Sequence, residues 1–370
     1  MTMNRSAISL FTGAGGMDVG FERCGFDVVW ANDINQAACK TYALNHKSRI
    51  ACGPIQEYLE ETSQFSGVDL VFGGPPCQGF SVAGKMDPDD IRSQMLWYFF
   101  DVVERVRPAV FVCENVKALA ALEKWSRVRK RMFERANNLG YEFELVVLNA
   151  KDFGVSQGRE RMFLLGSRVG RITGLGSVFD AYRKPAKVLR SLFYGLGPAG
   201  SPSNSKVCNA KVTIAASPVL RRSPYAGMLF NGQGRPLNPD GFASTMHASM
   251  GGNKTPIIDE IHLQNGGESW IEWYHQHLMS GGAPLGFDEA PDRLRRLTLD
   301  EAIRIQSFPA DYVFHGTQNQ VFTQVGNAVP CDLAYAVGKV AKHLLTGEHD
   351  CDISQAMLSG ERQLELLLTA

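Results

Sequence analysis

Long hydrophobic runs are missing from this 370-residue sequence. No stretch approaches the roughly 20 consecutive apolar residues that a membrane-spanning helix needs. The N-terminus also lacks the layout of a signal peptide, so we expect a cytoplasmic protein with no membrane partner. The eight cysteines are scattered, without a C-x-x-C pair, which argues against a disulfide framework and a cysteine-rich zinc site. We therefore predict reduced thiols and no bound metal.

A net charge of either sign is also missing, since 38 Lys and Arg balance 38 Asp and Glu. Taken as an average, this balance argues against a nucleic-acid partner, which usually requires a basic excess. The distribution along the chain reverses that interpretation. Residues 167–255 hold 12 basic and 2 acidic residues, a net of +10, so the remainder carries −10. A basic segment on an acidic body is the pattern expected when one face contacts phosphates.

The order of apolar runs predicts an α/β fold. Residues 1–166 alternate strand-length apolar runs with helical segments, which is typical of a mostly parallel sheet with helices on both faces. Residues 167–290 are rich in Gly, Pro, Ser and Asn, and we predict a loop-rich second domain there, without a long periodic helix. Helical sequence patterns return in residues 291–370. There we expect Thr298 to be the N-cap of one helix and residues 332–345 to form the last helix.

A glycine turn separates the first predicted strand from the first helix, at residues 12–16. Backbone amides in such a turn can approach a ligand closely, and the helix N-terminus adds partial positive charge. Asp33 ends the second strand, where a carboxylate can accept both hydroxyls of a ribose. Asp18 occupies the third glycine position of the dinucleotide fingerprint, which argues against an NAD dehydrogenase. We predict an adenosine-containing cofactor; a ligand-free turn and a solvated acid are the alternatives.

A cysteine lies on a loop stiffened by glycines and prolines, at residues 73–81. Buried packing is a poor explanation for Cys77 in such a loop, whereas display of a nucleophile beyond the carboxyl ends of parallel strands is a good one. The next strand ends in Glu114, which places a carboxyl group at the same edge. A thiol and an acid together suit addition to an electron-poor ring with protonation of a ring nitrogen.

Two arginines follow, Arg159 and Arg161, separated by one residue in a strand-like segment. Their side chains would share one face of a strand and could hold a carbonyl oxygen and a carboxylate. Each feature alone has an ordinary explanation: a strand-end ion pair for Glu114 and a surface charge cluster for the arginines. Their joint occurrence with Cys77 favours a catalytic site.

In this order, the segments resemble the DNA cytosine-5 methyltransferases across nearly the whole chain. The matching segments are residues 9–16, 74–81, 114–116, 157–161, 296–309 and 324–330. The resemblance implies a Rossmann-like S-adenosylmethionine-dependent methyltransferase domain with a mostly parallel sheet, plus a smaller loop-rich target recognition domain. It further implies that residues 324–345 return to the first domain. The implied reaction is methyl transfer to C5 of a cytosine flipped out of double-stranded DNA, a step that costs a few kcal/mol.

The resemblance also assigns roles to individual residues. Cys77 would attack C6, Glu114 would act at N3 and Arg161 would hold O2, with Arg159 and Asn115 bracing the site. The S-adenosylmethionine contacts would be Phe11, Thr12, Gly13, Ala14, Gly15, Gly16, Asp33, Ile34, Ile55, Gly74, Pro76, Asn327 and Ala328. The DNA contacts would be Gln78, Ser81, Thr245, Asn253 and Lys254. A surface turn explains the last three equally well.

The sequence departs from the family pattern around the adenosine. Asp33 and Ile34 stand where the family often has Glu and an aromatic residue, and Pro54 stands where an acidic residue usually contacts the adenine amino group. Recognition of adenine is therefore the part of the resemblance that these residues support least.

Two alternatives differ in what they require. An RNA cytosine-5 methyltransferase would carry a Cys-Phe-Thr motif in the variable region, which is absent here. A non-catalytic DNA-binding relative would have a damaged Pro-Cys or Glu-Asn-Val motif, and both are intact. We therefore expect a monomeric bacterial or phage modification enzyme that protects DNA from a cognate restriction endonuclease.

Overall fold

The computed structural model describes residues 5–76, 94–170, 172 and 174–347, so that Cys77, Gln78 and Ser81 lie outside the described residues. The strands are β1 (Arg5–Leu10), β2 (Phe26–Asp33), β3 (Arg49–Cys52), β4 (Leu70–Gly73), β5 (Val110–Val116), β6 (Glu142–Asn149), β7 (Gln157–Gly158), β8 (Glu160–Ser167), β9 (Ile214–Val219), β10 (Met228–Phe230), β11 (Ala243–Ser244), β12 (Ile257–Asp259) and β13 (Leu294–Arg296). The α-helices are α1 (Gly16–Arg23), α2 (Gln36–Asn45), α3 (Leu59–Thr62), α4 (Met95–Val106), α5 (Lys117–Ala121), α6 (Ser126–Asn138), α7 (Leu175–Asp180), α8 (Leu189–Phe193), α9 (Glu260–Asn265), α10 (Trp270–Met279), α11 (Leu299–Ile305), α12 (Gln318–Asn327) and α13 (Cys331–Thr346).

The chain divides into two compact units. The first comprises Met1–Phe153, Glu160–Pro185 and Cys331–Ala370, and the second comprises Gly154–Arg159 and Ala186–Pro330. The boundary expected after residue 166 thus falls inside the first unit, and residues 291–330 group with the second. They do so because α11 packs on α8 and α12, which belong to the second unit. The chain rejoins the first unit at the start of α13.

The first unit is built on a seven-stranded sheet in the order β3-β2-β1-β4-β5-β8-β6. Strands β1 to β5 pair in parallel, and β8 runs antiparallel to its neighbours β5 and β6. This mostly parallel sheet with helical crossovers confirms the predicted Rossmann-like α/β class. The strand order reverses between β1 and β4, and in such sheets ligands bind beyond the carboxyl ends of the strands at the reversal. We call this side of the sheet the carboxyl edge.

The core of the first unit explains why these segments form strands. All four residues of β4 and the first six of β5 are buried, as expected for parallel strands covered on both faces. Helix α4 contributes Phe99 and Phe100, whose rings pack edge-on against Phe111 of β5, 6.2 and 5.8 Å between ring centroids. Tyr141 packs on the same ring and donates its hydroxyl hydrogen bond to the Pro108 carbonyl, 2.7 Å away. Strand β5, which carries Glu114 at its carboxyl end, is therefore held in place by packing against α4 and Tyr141.

The last helix of the described chain packs on the first. A Cβ added at Gly20 of α1 would lie 2.5 Å from the Cβ of Ala334 of α13, so the two helices approach as closely as a glycine allows. Arg23 and Asp332 form an ion pair between them, 2.8 Å long. Helix α13 thereby holds α1, and with it the glycine turn that precedes α1, within the first unit.

A buried acid in α1 should make the stability of the first unit depend on pH. Burial raises the pKa of Asp18 from 3.8 to about 6, opposed by nearby His46 and by hydrogen bonds that include the Tyr42 hydroxyl. Because the folded pKa exceeds the unfolded one, Asp18 stabilises the fold at low pH and loses this contribution, at most roughly 3 kcal/mol, between about pH 4 and pH 6. The pKa of His46, raised by its contact with Glu22 against the effect of burial, acts in the same direction.

We therefore expect the unfolding free energy, measured by urea titration, to fall as pH rises from 4 to 6.5. Asp18→Asn imitates the protonated acid and should flatten that dependence. An equally steep dependence in Asp18→Asn would contradict the assignment to Asp18.

The second unit has its own buried core and contains a helix that the sequence pattern does not predict. Its buried cluster includes Ile214, Leu229 and Ile271. Helix α10 spans ten residues, contrary to the expectation of no long periodic helix in residues 167–290. Its buried positions are Ile271, Tyr274, His275 and Leu278, a helical spacing in which two of the four residues are polar. An aliphatic pattern alone therefore misses it.

Membrane-spanning helices and disulfides can be assessed for the described residues. No helix among them combines the length and the apolar character needed to cross a membrane. The cysteines within the same ranges form no disulfide with one another: Cys24, Cys39, Cys52, Cys113, Cys208 and Cys331.

Candidate active site

The glycine turn is formed by backbone in unusual conformations. Phe11 has a φ of 54°, which is uncommon for a residue with a side chain. Gly13 and Gly15 follow with φ values of 56° and 82°, in the left-handed region that glycine adopts without steric cost. The Thr12 amide donates to the Asn32 carbonyl of β2, 3.1 Å away. The turn is thus strained and fixed to β2, and such outliers cluster at ligand sites.

Asp33 connects the turn to the second strand. Its two carboxylate oxygens accept hydrogen bonds from the amides of Gly13, at 2.8 Å, and Asn35, at 2.7 Å. Burial raises the pKa of Asp33, and these backbone hydrogen bonds oppose that rise. Each carboxylate oxygen can accept more than one hydrogen bond, so the side chain retains capacity for ligand hydroxyls.

The two isoleucines assigned to the cofactor lie in different environments. Ile34, directly after Asp33, is 68% exposed, which makes it an apolar side chain open to a ligand. Ile55 is 2% exposed and belongs to the core cluster of the first unit. Between them in the chain, Pro54 precedes a short 3-10 helix and offers no backbone donor.

Glu114 and Arg161 form an ion pair at the carboxyl edge. The Arg161 Nε lies 3.1 Å from Glu114 Oε1, and both side chains are largely buried, 14% and 11% exposed. The register of β5 and β8 produces this contact: Phe163 lies opposite Glu114, and Arg161 is two residues along the same face. The Nη1 group of Arg161 donates to the Glu160 carbonyl at 2.8 Å. Within the described residues this leaves Nη2 of Arg161 available for a ligand oxygen.

The segment that leads into Cys77 is held against this pair. A Cβ on Gly74 would lie 2.7 Å from Glu114 Oε2, so only glycine lets the backbone approach the carboxylate this closely. Asn115, 1% exposed, donates its side-chain amide to the Pro75 carbonyl at 3.1 Å. These contacts bring together four predicted residues: Gly74, Glu114, Asn115 and Arg161. The contact at Pro75 lies two positions before Cys77 in the sequence. Pro76, the neighbour of Cys77, is partly buried.

The two arginines of the doublet separate. The strand is interrupted at Arg159, because β7 ends at Gly158 and β8 begins at Glu160. Arg161 belongs to the first unit, whereas Arg159 belongs to the second, so the prediction of one continuous strand is wrong. The Arg159 guanidinium, 2% exposed, donates to the carbonyls of Met246 and Gly326, each at 3.0 Å. It therefore joins two distant segments of the second unit.

Thr245 and the end of α12 lie around this arginine within the second unit. The Thr245 hydroxyl donates to the Gly158 carbonyl at 2.8 Å. Asn327 is the exposed last residue of α12, and its carbonyl accepts from Arg159 at 3.4 Å. Ala328 caps the helix, and its carbonyl accepts from the Gln306 side chain at 3.2 Å. Thr245 is thus held through its own side chain, whereas Asn327 and Ala328 are held through their backbone carbonyls.

Two glycine-rich loops pack together in the second unit. The Gly234 amide donates to the Asn253 carbonyl at 3.1 Å, and a Cβ on Gly232 would lie 2.2 Å from that same oxygen. The buried guanidinium of Arg296 fixes both loops by donating to the carbonyls of Thr255, at 2.9 Å, and Asn231, at 3.3 Å. Four exposed polar side chains project from the loops: Gln233, Arg235, Asn253 and Lys254.

Asn253 and Lys254 are among the predicted DNA contacts, whereas Gln233, Arg235 and Arg296 are not. The sequence signal for Gln233 and Arg235 is the repeated glycine in Asn231-Gly232-Gln233-Gly234-Arg235, which resembles the Gly251-Gly252 pair of the other loop. Arg, Lys, Asn and Gln are the side chains that read base edges in DNA grooves.

Comparisons with known proteins bear on the whole chain. The family described as C-5 cytosine-specific DNA methylase matches residues 5–343. The Type II methyltransferase M.FnuDI of Fusobacterium nucleatum is 32% identical over 343 residues, covering 92% of this chain and 94% of that protein. The Type II methyltransferase M.MthTI of Methanothermobacter thermautotrophicus is 33% identical over 352 residues, covering 93% and 99%.

Solved structures agree at the level of the fold. The S. pombe Dnmt2 methyltransferase superposes with a TM-score of 0.65 at 18% identity, covering 93% of this chain and 98% of that one. The Entamoeba histolytica methyltransferase EhMeth superposes with a TM-score of 0.62 at 15% identity, covering 92% and 98%. The family match across nearly all of the described residues, together with relatives above 30% identity, shows that this chain belongs to the C-5 cytosine-specific DNA methylase family.

Proposed function

We propose that this chain transfers a methyl group from S-adenosylmethionine to C5 of a cytosine in double-stranded DNA, releasing S-adenosylhomocysteine. The observation that carries the proposal is the Glu114–Arg161 pair at the carboxyl edge, against which the backbone leading to Cys77 is packed. An acid, a guanidinium and a thiol-bearing loop on neighbouring strands form the set needed to activate a pyrimidine ring.

The proposed chemistry begins with Cys77. Its thiolate adds to C6 of the cytosine, which breaks the C5–C6 double bond and moves its electron pair toward C5. Glu114 protonates N3 and so stabilises the electron-rich ring, while Arg161 donates from Nη2 to the O2 oxygen. C5 would then take the methyl group, while the bond between that carbon and the donor sulfur breaks and its electron pair stays on sulfur. Loss of the C5 proton, return of the N3 proton to Glu114 and expulsion of the Cys77 thiolate restore the double bond, so that C5–CH3 replaces C5–H and one proton is released.

The residues around the glycine turn fit the proposed methyl donor. S-Adenosylmethionine supplies an electrophilic methyl group on a sulfonium. Asp33 would accept the ribose hydroxyls, since its carboxylate lies beside the turn with accepting capacity to spare. Phe11 and the exposed Ile34 would supply apolar contacts to the adenine, and the amides of residues 12–16 would line the rest of the site. Pro54 offers no polar contact to the adenine amino group.

Substitution of Asp33 tests the assignment of this cofactor site. Asp33→Ala should weaken S-adenosylmethionine binding by roughly 10- to 100-fold, because a hydrogen bond to a charged group contributes about 1.5–3 kcal/mol. Isothermal titration in the absence of DNA measures this directly. Asn35→Ala removes the cap of α2 but not the carboxylate and serves as a control for disturbance of the local backbone. Unchanged affinity in Asp33→Ala would refute the ribose contact.

The DNA would be bound in part by the second unit, with the target base flipped out because C5 and C6 are inaccessible in a stacked duplex. The excess of basic residues in residues 167–255 supports this assignment. Thr245, Asn253 and Lys254 remain candidate contacts, together with Gln233 and Arg235 on the paired loops. Cys77, Gln78 and Ser81, which lie outside the described residues, would act from the segment that follows β4 in the sequence.

The relatives favour a role in DNA modification. Both are named Type II methyltransferases, and we propose that this chain likewise protects DNA from a cognate restriction endonuclease. The deciding experiment is to sequence 5-methylcytosine in plasmid DNA recovered from cells that express the chain, with Cys77→Ala as the matched control. Modified cytosines in one fixed context, absent from the control, are the expected result. No modification in the wild-type sample would refute the proposal.

A further inference from the structure

Positive charge is concentrated at one place in the otherwise acidic part of the chain. Outside residues 167–255 the sequence has 26 basic and 36 acidic residues. Seven of those basic residues fall within residues 117–135, which contain only two acidic ones. This segment comprises α5, the following turn and most of α6. An acidic unit that approaches DNA would be repelled by it, so a local excess of this size calls for an explanation.

Three of the seven cations are neutralised or used structurally. Lys117 pairs with Glu160 at 2.8 Å, and Arg135 pairs with Asp101 at 2.7 Å and with Glu104. Arg129 donates to the carbonyls of Leu119 and Leu122. These contacts are ordinary surface interactions and connections within the fold.

The other four are exposed: Lys124, Arg127, Lys130 and Arg131. We call them the basic face. Within the described ranges, no carboxylate lies within ion-pair distance of Lys124, Arg127 or Arg131, and Lys130 is 3.8 Å from Glu134 with its side chain 79% exposed. The Arg131 guanidinium lies over the Trp97 ring, 4.0 Å from its centroid, which positions the group without neutralising it.

The topology places the start of the basic face near the candidate active site. Strand β5 ends at the carboxyl edge, just after Glu114 and Asn115. Helix α6 connects β5 to β6, and these strands point the same way because each runs antiparallel to β8. The helix must therefore begin at the carboxyl edge and run back along the sheet. Lys124 and Arg127 thus lie at the same end of the first unit as Glu114 and Arg161.

Helix stability does not explain this placement of charge. The first turn of α6 contains Arg127 and Arg129 and no acidic residue, and the N-cap Trp125 makes no side-chain capping hydrogen bond. Cations at a helix N-terminus interact unfavourably with the helix dipole. The basic face therefore opposes local stability, whereas it suits contact with an anionic partner.

We propose that the basic face binds backbone phosphates of the DNA that flanks the target cytosine. This inference rests on the proposed function, which makes duplex DNA the substrate. Exposed, unneutralised cations release condensed counterions from DNA when they contact phosphates, and such contacts add affinity without reading sequence. The first unit would thereby contribute its own share of DNA affinity, independent of base recognition.

The test is the salt dependence of DNA binding by the full chain, followed by fluorescence anisotropy. Lys124→Gln/Arg127→Gln should reduce the slope of log K against log salt by about 1.8, since each lost phosphate contact removes about 0.9. At 0.1 M salt the affinity for DNA should fall roughly tenfold. The loss should be equal for a duplex that contains the sequence this chain methylates and for a duplex that lacks it. Lys47→Gln/Arg107→Gln removes two exposed cations near the opposite edge of the sheet and is the matched control.

The outcomes separate this inference from the function on which it rests. A wild-type chain that methylates plasmid DNA, with an unchanged slope in Lys124→Gln/Arg127→Gln, would overturn the inference alone. So would a loss equal to that of the control, or a loss confined to the specific site. A wild-type chain that neither binds nor methylates duplex DNA would overturn both. Circular dichroism melting should show no loss of stability in the variant, because its substitutions remove charges that oppose the dipole of α6.

Discussion

Cys77→Ala should abolish methyl transfer while leaving S-adenosylmethionine binding intact. Without the thiolate, C5 of cytosine is too weak a nucleophile to take a methyl group in the proposed mechanism. Loss of a catalytic nucleophile lowers turnover by roughly 10⁵-fold or more, which is below detection in a tritiated-methyl incorporation assay. Isothermal titration should still give the wild-type affinity for the cofactor, since Cys77 is not among the contacts proposed for it.

Cys52, an exposed cysteine of the first unit, provides the control. Cys52 lies at the end of β3 and is a free thiol, so Cys52→Ala should keep full activity. A duplex containing 5-fluorocytosine separates the steps: fluorine at C5 cannot leave as the proton does, and wild-type protein should remain covalently attached to it after denaturation. Cys77→Ala should form no such complex. Methylation by Cys77→Ala at even one-hundredth of the wild-type rate would rule out the covalent route.

The sequence alone is sufficient to predict the sheet and most of the candidate catalytic cluster. Buried parallel strands require continuous apolar runs, and such runs mark β4 and β5 in the sequence. Residues at the carboxyl ends of neighbouring strands must lie close together, so Glu114 and the segment before Cys77 could be paired without a structure. Their contact depends only on strand order and on the alternation of side chains.

Contacts between distant segments could not be predicted in this way. Arg159 and Arg161 look equivalent in sequence, yet Arg159 donates to carbonyls 87 and 167 residues further along the chain. The role of Arg296 in holding two loops likewise depends on acceptors at Thr255 and Asn231. No local periodicity encodes which carbonyl a buried guanidinium will find. Helix α10 was not predicted for a different reason: its buried face includes the polar residues Tyr274 and His275, which interrupt the apolar pattern.

Glu114→Gln should lower the turnover of methyl transfer by roughly 10²- to 10⁴-fold, the usual contribution of a general acid. The amide keeps the size of the side chain and can still accept a hydrogen bond from Arg161, but it cannot transfer a proton to N3. Binding of the cofactor in the absence of DNA should be unchanged. Single-turnover kinetics with saturating cofactor measures the chemical step separately from product release.

Two companion variants identify the position of the carboxylate as the cause. Glu160→Gln removes an exposed acid from the neighbouring end of β8, where it pairs with Lys117, and should leave turnover unaltered. Gly74→Ala keeps the acid but places a Cβ 2.7 Å from Glu114 Oε2, which must displace a carboxylate held by Arg161. Its turnover should fall together with that of Glu114→Gln, because proton transfer requires the acid within hydrogen-bonding reach of N3. Wild-type turnover in Glu114→Gln would remove Glu114 from the mechanism; wild-type turnover in Gly74→Ala alone would show that the close backbone approach is structural.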